Sequence, residues 1–335
     1  MLTYAVEWGV FMRRRSAAAL TALAVLTAAL ATGCGSDEEP DPLRSQQWAL
    51  DSLKLPDAWN TAKGDDTVIA VVDTGVDPGH PDLEGRLVDG YDFVDGDDDP
   101  KDLNGHGTHV SGIAAAHTDN GVGISGGARG AKIMPVRVLG ADGSGSDANI
   151  TKGIVWAAQH GADVINLSLG ESGLMARLLK GGVLNDAISV ANGKGAVVVA
   201  AAGNDATLLQ PYEVDTPVLV VNAADANGQP ATFTNFGAQN AVAAPGVDIL
   251  STLPTYTARE TLRNTTGYGK LSGTSMASPY VSAVAALLHQ QGLSPTEIMR
   301  TIRDTARNPA GDLKLGLGNV DAAAAVEEAA AAHPN

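Results

Sequence analysis

The chain has 335 residues, 44% of them hydrophobic, one cysteine and a formal net charge of -16. That length and apolar content suffice for a large core, in one domain or two. A lone Cys34 rules out an intrachain disulfide framework, so stability has to come from packing and bound ions, and the acidity argues against nucleic acid as a partner, since phosphate binding needs a basic face.

Near the N-terminus Arg13, Arg14 and Arg15 precede an apolar run over 17–32. That run is shorter than the ~20 residues a bilayer span requires. It reads as a signal peptide over 1–33, complete from Met12 onward, so that 1–11 precede the functional start. The run ends in LATGCGS, which resembles the lipobox of bacterial lipoproteins, with Ala31 where leucine is usual. The resemblance implies lipidation of Cys34, a membrane partner through that lipid, and a place on the outer face of the bacterial cell membrane. Ordinary secretion with an incidental cysteine is the alternative. Loss of 1–33 removes three arginines and Glu7, leaving the chain more acidic still. The stretch GSDEEPDP beyond Cys34 is acidic and has no apolar periodicity, which makes 34–46 a short tether.

From residue 47 onward strands and helices alternate. TVIAVVD, AKIMPVRVL, ADVINLSL, AVVVAAAGN and PVLVVNAAD are short, nearly continuous apolar runs rich in valine and isoleucine, as strands buried on both faces should be. Helical spacing of Ile150, Ile154, Val155 and Ala158 predicts a helix over 147–160, and an almost wholly apolar segment predicts another over 275–291. A third opens at SPTE, where Ser294 and Glu297 form a capping box with Pro295 at the first helical position. This alternation predicts a three-layer α/β fold, a mostly parallel central sheet with helices on both faces, in a single domain over 47–327 with a tail at 328–335. There is no internal repeat.

In such sheets ligands gather beyond the carboxyl ends of the strands. One apolar run ends on Asp73 and another on Asn204, while Ser275 stands where a glycine turn enters an apolar helix, facing its dipole and free N–H groups. In NGHGTHVSGIAAA, His106 and His109 are three residues apart. They are half of a metal site on one helix face, or two packed polar residues near a helix start, or one of them is a general base. An Asp, a His, a Ser and an Asn at element ends are the components of an acyl-transfer site.

VVDTGVD, NGHGTHVSGIAAA, NLSLG, AAAGN and SGTSMASP follow one another in the order Asp, His, Asn, Ser. Over residues 41–327 the chain resembles the subtilisin-like serine proteases, most closely their thermitase-like branch. The resemblance implies Ser275 as nucleophile, His106 as its base, Asp73 as the carboxylate that orients the imidazole, and the Asn204 amide with the Ser275 N–H as the oxyanion site. His109 is then a packing residue. VLGADGSGS and NLSLG match the two segments that flank an extended peptide in the family, which implies substrate contacts at Gly143, Gly145, Ser168, Leu169 and Gly170, made through the main chain with little sequence preference. Asp147 replaces the aromatic wall of many relatives, and DATLLQPYEVDTP departs from their glycine- and serine-rich pocket loop. No side-chain preference follows.

The acidic run YDFVDGDDDPKD, which also contains Asp98 and Asp102, reads by itself as a solvated loop. The resemblance places Asp92, Asp95, Asp97 and Asp99 on a calcium loop of thermitase-like members, with Lys101 in place of a neutral residue. It implies a second Ca2+ at Asp41, Asp82 and Asn120 with the carbonyls of His117, Val122 and Ile124, hard oxygen donors as calcium prefers. Met276, next to the nucleophile, predicts loss of activity on oxidation by peroxide. Relatives carry a folded pro-domain, whereas only the tether separates Cys34 from the body, so zymogen control is not expected. Tyr280 stands where relatives usually have histidine, without a functional account. The expected protein is a secreted, lipid-anchored, monomeric serine endopeptidase acting on peptide or protein, the alternative being a catalytically silent peptide-binding envelope lipoprotein.

Overall fold

The valine-rich runs form strands because residues pointing to either face of the sheet meet apolar partners. β1 (Val68–Asp73), β2 (Tyr91–Asp92), β3 (Lys132–Arg137), β4 (Val164–Leu167), β5 (Val197–Ala201), β6 (Val218–Ala224) and β7 (Val242–Pro245) make one sheet in the order β2-β3-β1-β4-β5-β6-β7. Every pairing in it is parallel. β8 (Ile249–Thr252) and β9 (Tyr268–Leu271) form a separate antiparallel pair. The computed structural model describes residues 39–169, 182–209, 212–258, 262 and 266–332; the signal segment, Cys34 and Gly170 lie outside them. All described residues belong to one compact unit, Asp37–Asn335.

The pleat divides the core in two. Ile69 and Val71 point into one cluster, with residues of α1 (Trp48–Ser52), α2 (Leu55–Ala58), α3 (His106–Ala115) and the helices nearer the C-terminus. Ala70 and Val72 point into the other, with α4 (Asp147–Gln159) and α5 (Val183–Gly193). Helices therefore cover both faces, as the alternation predicts. α6 (Thr274–Gln290) is buried at every position from Thr274 to Leu288. Each large aliphatic side chain enclosed there, such as Leu287 or Leu288, contributes roughly 1.5–3 kcal/mol relative to exposure.

Local signals set the helix ends. The Ser146 hydroxyl accepts from the Asn149 N–H and starts α4, and His160 caps its end one residue earlier than the spacing predicts. α7 (Pro295–Thr305) begins with the predicted capping box, the Ser294 N–H donating to Glu297 Oε2 at 2.9 Å. Two expected boundaries are corrected. The predicted tail at 328–335 starts inside α8 (Ala322–Ala332), which packs on the core through Ala325, Val326 and Ala329. The described part of the predicted tether, residues 39–46, is packed rather than free: Glu39 exchanges backbone hydrogen bonds with Asp119 and Gly121, and Leu43 donates to Gly123. Asp41 is buried there and accepts from the Asn120 and Asp119 N–H groups and the Ser125 hydroxyl.

Candidate active site

β1 and β4 are neighbours, and since the chain goes from β1 to the β2 side of the sheet and from β4 to the β5 side, a crevice opens at this switch point. The carboxyl ends of three adjacent strands serve it. Asp73 is the last residue of β1, Ser168 is one residue past β4, and Asn204 is three past β5. Asp73 is fully buried, and its Oδ1 accepts from the Thr74 N–H at 2.7 Å and from His106 Nδ1 at 2.8 Å. Its Oδ2 has no hydrogen-bond partner among the described residues. His106 is the first residue of α3, with 24% of its side chain exposed.

The turn that presents this histidine is organised by Asp102. Its Oδ1 accepts from the Thr74 hydroxyl and the Asn104 and Gly105 N–H groups; its Oδ2 accepts from the Thr108 N–H and hydroxyl. Burial pushes this carboxyl up, and the donors oppose that shift. Sequence reasoning had only counted Asp102 within an acidic run. The signal that could have singled it out is its place four residues before His106 in a turn-forming Asn-Gly context. Thr74 links the two halves, since its hydroxyl also accepts from the Gly107 N–H at 2.9 Å. The glycines permit the approach of α3 to the turn after β1: a Cβ at Gly107 would stand 2.2 Å from the Gly75 carbonyl oxygen.

The two histidines take different partners. The His109 ring is fully buried, with Nε2 3.1 Å from the Gly269 carbonyl, and burial pushes its pKa down to about 3. It is a neutral packing group, and the pair does not form half of a metal site. Because the unfolded chain binds this proton near the ordinary ~6.5, stability should fall as pH drops from there towards 3. His109→Gln, which keeps a donor and does not titrate, should remove a few kcal/mol of that loss, read as a flatter decline of melting temperature between pH 7 and pH 4.

Ser275 lies in the first turn of α6, and its hydroxyl donates to the Ser168 carbonyl at 3.2 Å. Asn204 Oδ1 accepts from the Thr274 N–H at 2.9 Å and the Thr274 hydroxyl at 3.0 Å. That orients the side chain, with Nδ2 beside Gly273. Met276 is only 2% exposed, so its thioether is largely enclosed at the start of α6.

Of the predicted peptide-binding residues, Gly143 and Gly145 lie on a closed turn in which the Gly140 N–H donates to the Ser144 carbonyl. Gly143 has φ +82, and a Cβ at Gly145 would meet Leu139 and the Val138 carbonyl at 2.6 Å. Ser168 and Leu169 are buried beside β4.

The two predicted calcium sets differ. Among the described residues no three His, Cys, Asp or Glu side chains are grouped as metal ligands. In the acidic loop Asp92 and Asp95 each meet Arg137 Nη1 at 2.5 Å, Asp97 caps the Asp99 N–H, and Asp97 and Asp99 are exposed. The four carboxylates expected to converge on one ion are thus not brought together, and a guanidinium from β3 neutralises two of them. Asp82, by contrast, is buried with Asp41 close enough to act on it. Burial pushes its carboxyl up to about 6 and the Asp41 charge adds to that, against donors from the Ile124 N–H and Asn120 Nδ2.

A buried carboxylate holding the first imidazole of a helix, at the carboxyl edge of a parallel sheet, is the framework of a hydrolase that works by acyl transfer. The chain belongs to the subtilase family of serine endopeptidases, whose model matches residues 64–322. It is 44% identical over 268 residues to Thermitase of Thermoactinomyces vulgaris, covering 80% of this chain and 90% of that one. It is 47% identical over 259 residues to the Thermophilic serine proteinase of Bacillus sp. (strain AK1), covering 76% of this chain and 60% of that one. The matched part is therefore less than two thirds of the AK1 proteinase. Among solved structures, fervidolysin from Fervidobacterium pennivorans, described as a keratinolytic enzyme related to subtilisin, has a TM-score of 0.72 at 33% identity over 88% of this chain and 48% of its own. Proteases from Pseudoalteromonas arctica give 0.76 at 35% identity over 87% and 99%. The subtilisin-like fold and the thermitase-like relatives are both as the motifs imply.

Proposed function

We propose that this chain is an extracytoplasmic serine endopeptidase that hydrolyses peptide bonds through an acyl-enzyme on Ser275. The observation that carries the reading is the 2.8 Å contact of His106 Nδ1 with the buried Asp73 carboxylate. It holds the imidazole in the tautomer that leaves Nε2 able to accept a proton. Ser275 Oγ attacks the scissile carbonyl carbon while its proton passes to His106 Nε2. The resulting oxyanion takes hydrogen bonds from the Asn204 amide and the Ser275 N–H. Collapse of the tetrahedral species breaks the C–N bond, and His106 gives its proton to the leaving amine. Water then repeats the sequence on the ester and restores Ser275. The hydroxyl rests on the Ser168 carbonyl, and its hydrogen bond to the imidazole would form as substrate tightens the site. Gly143, Gly145, Ser168, Leu169 and Gly170 flank the substrate as an added strand. The purified chain should cut an unfolded protein into fragments whose new N-termini appear in mass spectra; an intact substrate would overturn the reading.

Asp41, Asp82 and Asn120, with the carbonyls of His117, Val122 and Ile124, would hold a structural Ca2+. Two buried carboxylates in mutual repulsion fit a divalent cation, which supplies charge compensation there and no chemistry. The acidic loop, two of whose carboxylates are already paired with Arg137, carries no such proposal. Removing calcium at matched ionic strength should lower the melting temperature by about 5–10 °C for a site saturated at working concentration; an unchanged value refutes the site. Location follows the N-terminal motifs: the Arg13–Arg15 start, the apolar run and LATGCGS support export and a lipid on Cys34. A relative at 36% identity, from Xanthomonas campestris, is named Extracellular protease.

A further inference from the structure

In an α-helix each carbonyl accepts the amide hydrogen four residues on. For Ser275 that residue is Pro279, which lies inside α6 and has no N–H. The carbonyl is not left unpaired, because the Ser168 hydroxyl donates to it at 2.9 Å. A hydroxyl has one hydrogen and two acceptor positions. With the hydrogen committed to Ser275, the acceptor positions take Asn166 Nδ2 at 2.9 Å and the Ser278 hydroxyl at 2.8 Å, and this balance makes Ser278 the donor of that contact. Asn166 is fixed in turn by the Ser282 hydroxyl, which donates to its Oδ1 at 3.0 Å. Asn166, Ser168, Ser278 and Ser282 are all at most 2% exposed, so water does not substitute for any of them.

We propose that the Ser168 side chain is a positioning residue for the nucleophile, oriented by Asn166 and Ser278, and that it replaces the helix hydrogen bond which Pro279 removes. Anchoring the Ser275 carbonyl fixes ψ at that residue. The direction of its Cα–Cβ bond, which the attack uses, is then fixed as well, and with it the position of the nitrogen whose N–H serves the oxyanion site. This role is separate from main-chain contact with substrate, which any residue at 168 provides. It rests on the reading of Ser275 as nucleophile.

Ser168→Ala keeps every main-chain atom, so KM should stay within about twofold while kcat falls roughly tenfold, the scale of an unpaired buried carbonyl. Adding Pro279→Ala returns an N–H four residues after Ser275 and should recover most of the lost kcat in the double variant. A packing defect would not be repaired that way. Should Ser168→Ala not fold, Ser278→Ala decides, with a fall in kcat of about threefold at unchanged KM expected from the loss of one hydrogen bond. An unchanged kcat in the variant measured, or a double variant no faster than Ser168→Ala, overturns the proposal. A wild-type chain that hydrolyses nothing overturns the function itself, and the two failures are told apart by assaying the wild type first.

Discussion

Ser275→Ala should fold normally and hydrolyse nothing measurable, with kcat lower by on the order of 10⁶, the scale known for loss of the nucleophile in subtilisin. The hydroxyl's contact with the Ser168 carbonyl, at 3.2 Å, is a neutral hydrogen bond worth about 1 kcal/mol net. Alanine is also the best helix former and sits here in the first turn of α6. Activity and stability should therefore separate almost completely. Initial rates on a peptide substrate together with a thermal melt check both halves, and retained hydrolysis refutes the assignment.

Asp73→Asn should cost on the order of 10⁴ in kcat with little change in fold. The amide has the shape of the carboxylate, but Oδ1 accepts from both the Thr74 N–H and His106 Nδ1, so an NH2 turned towards the imidazole gives up the Thr74 bond, a loss of about 1 kcal/mol. The larger change is in the imidazole. An amide NH2 presented to His106 Nδ1 makes that nitrogen an acceptor and moves the ring proton to Nε2, where the serine proton has to go. The loss also removes the negative charge that stabilises the imidazolium formed in the reaction. A fall of less than tenfold in kcat on a peptide substrate would show that the 2.8 Å contact is incidental.

The central strands were legible because burial on both faces leaves an unbroken apolar run, which marks β1 and β3 to β6. The two residues of β2 are too few for any pattern, and β7 ends in Pro245, which reads as a breaker. β8 and β9 carry Ser251, Thr252 and Lys270, so their apolar content is too low to announce a strand. The domain boundary set at 327 cuts α8, although AAAAVEEAAAA is a strong helix former throughout.

The candidate site was legible in its residue types and order, since Asp73 and Asn204 close apolar runs while His106 and Ser275 stand where glycine turns enter helices. What holds those residues was not. The donors to Asp102 are mostly main-chain N–H groups, which leave no trace in composition, and Arg137 reaches Asp92 across 45 residues of sequence. The residues alone left His106 and His109 open and the resemblance chose between them; the structure adds the partner of each ring, Asp73 for the one and the Gly269 carbonyl for the other.

The central claim, that one serine at the mouth of α6 is made nucleophilic, is tested most directly by treating the purified chain with a fluorophosphonate and locating the adduct by peptide mass spectrometry. A single phosphonyl group on the Ser275 oxygen, absent from the Ser275→Ala variant, is the predicted result. No adduct on the folded chain, or an adduct on a different residue, would contradict it.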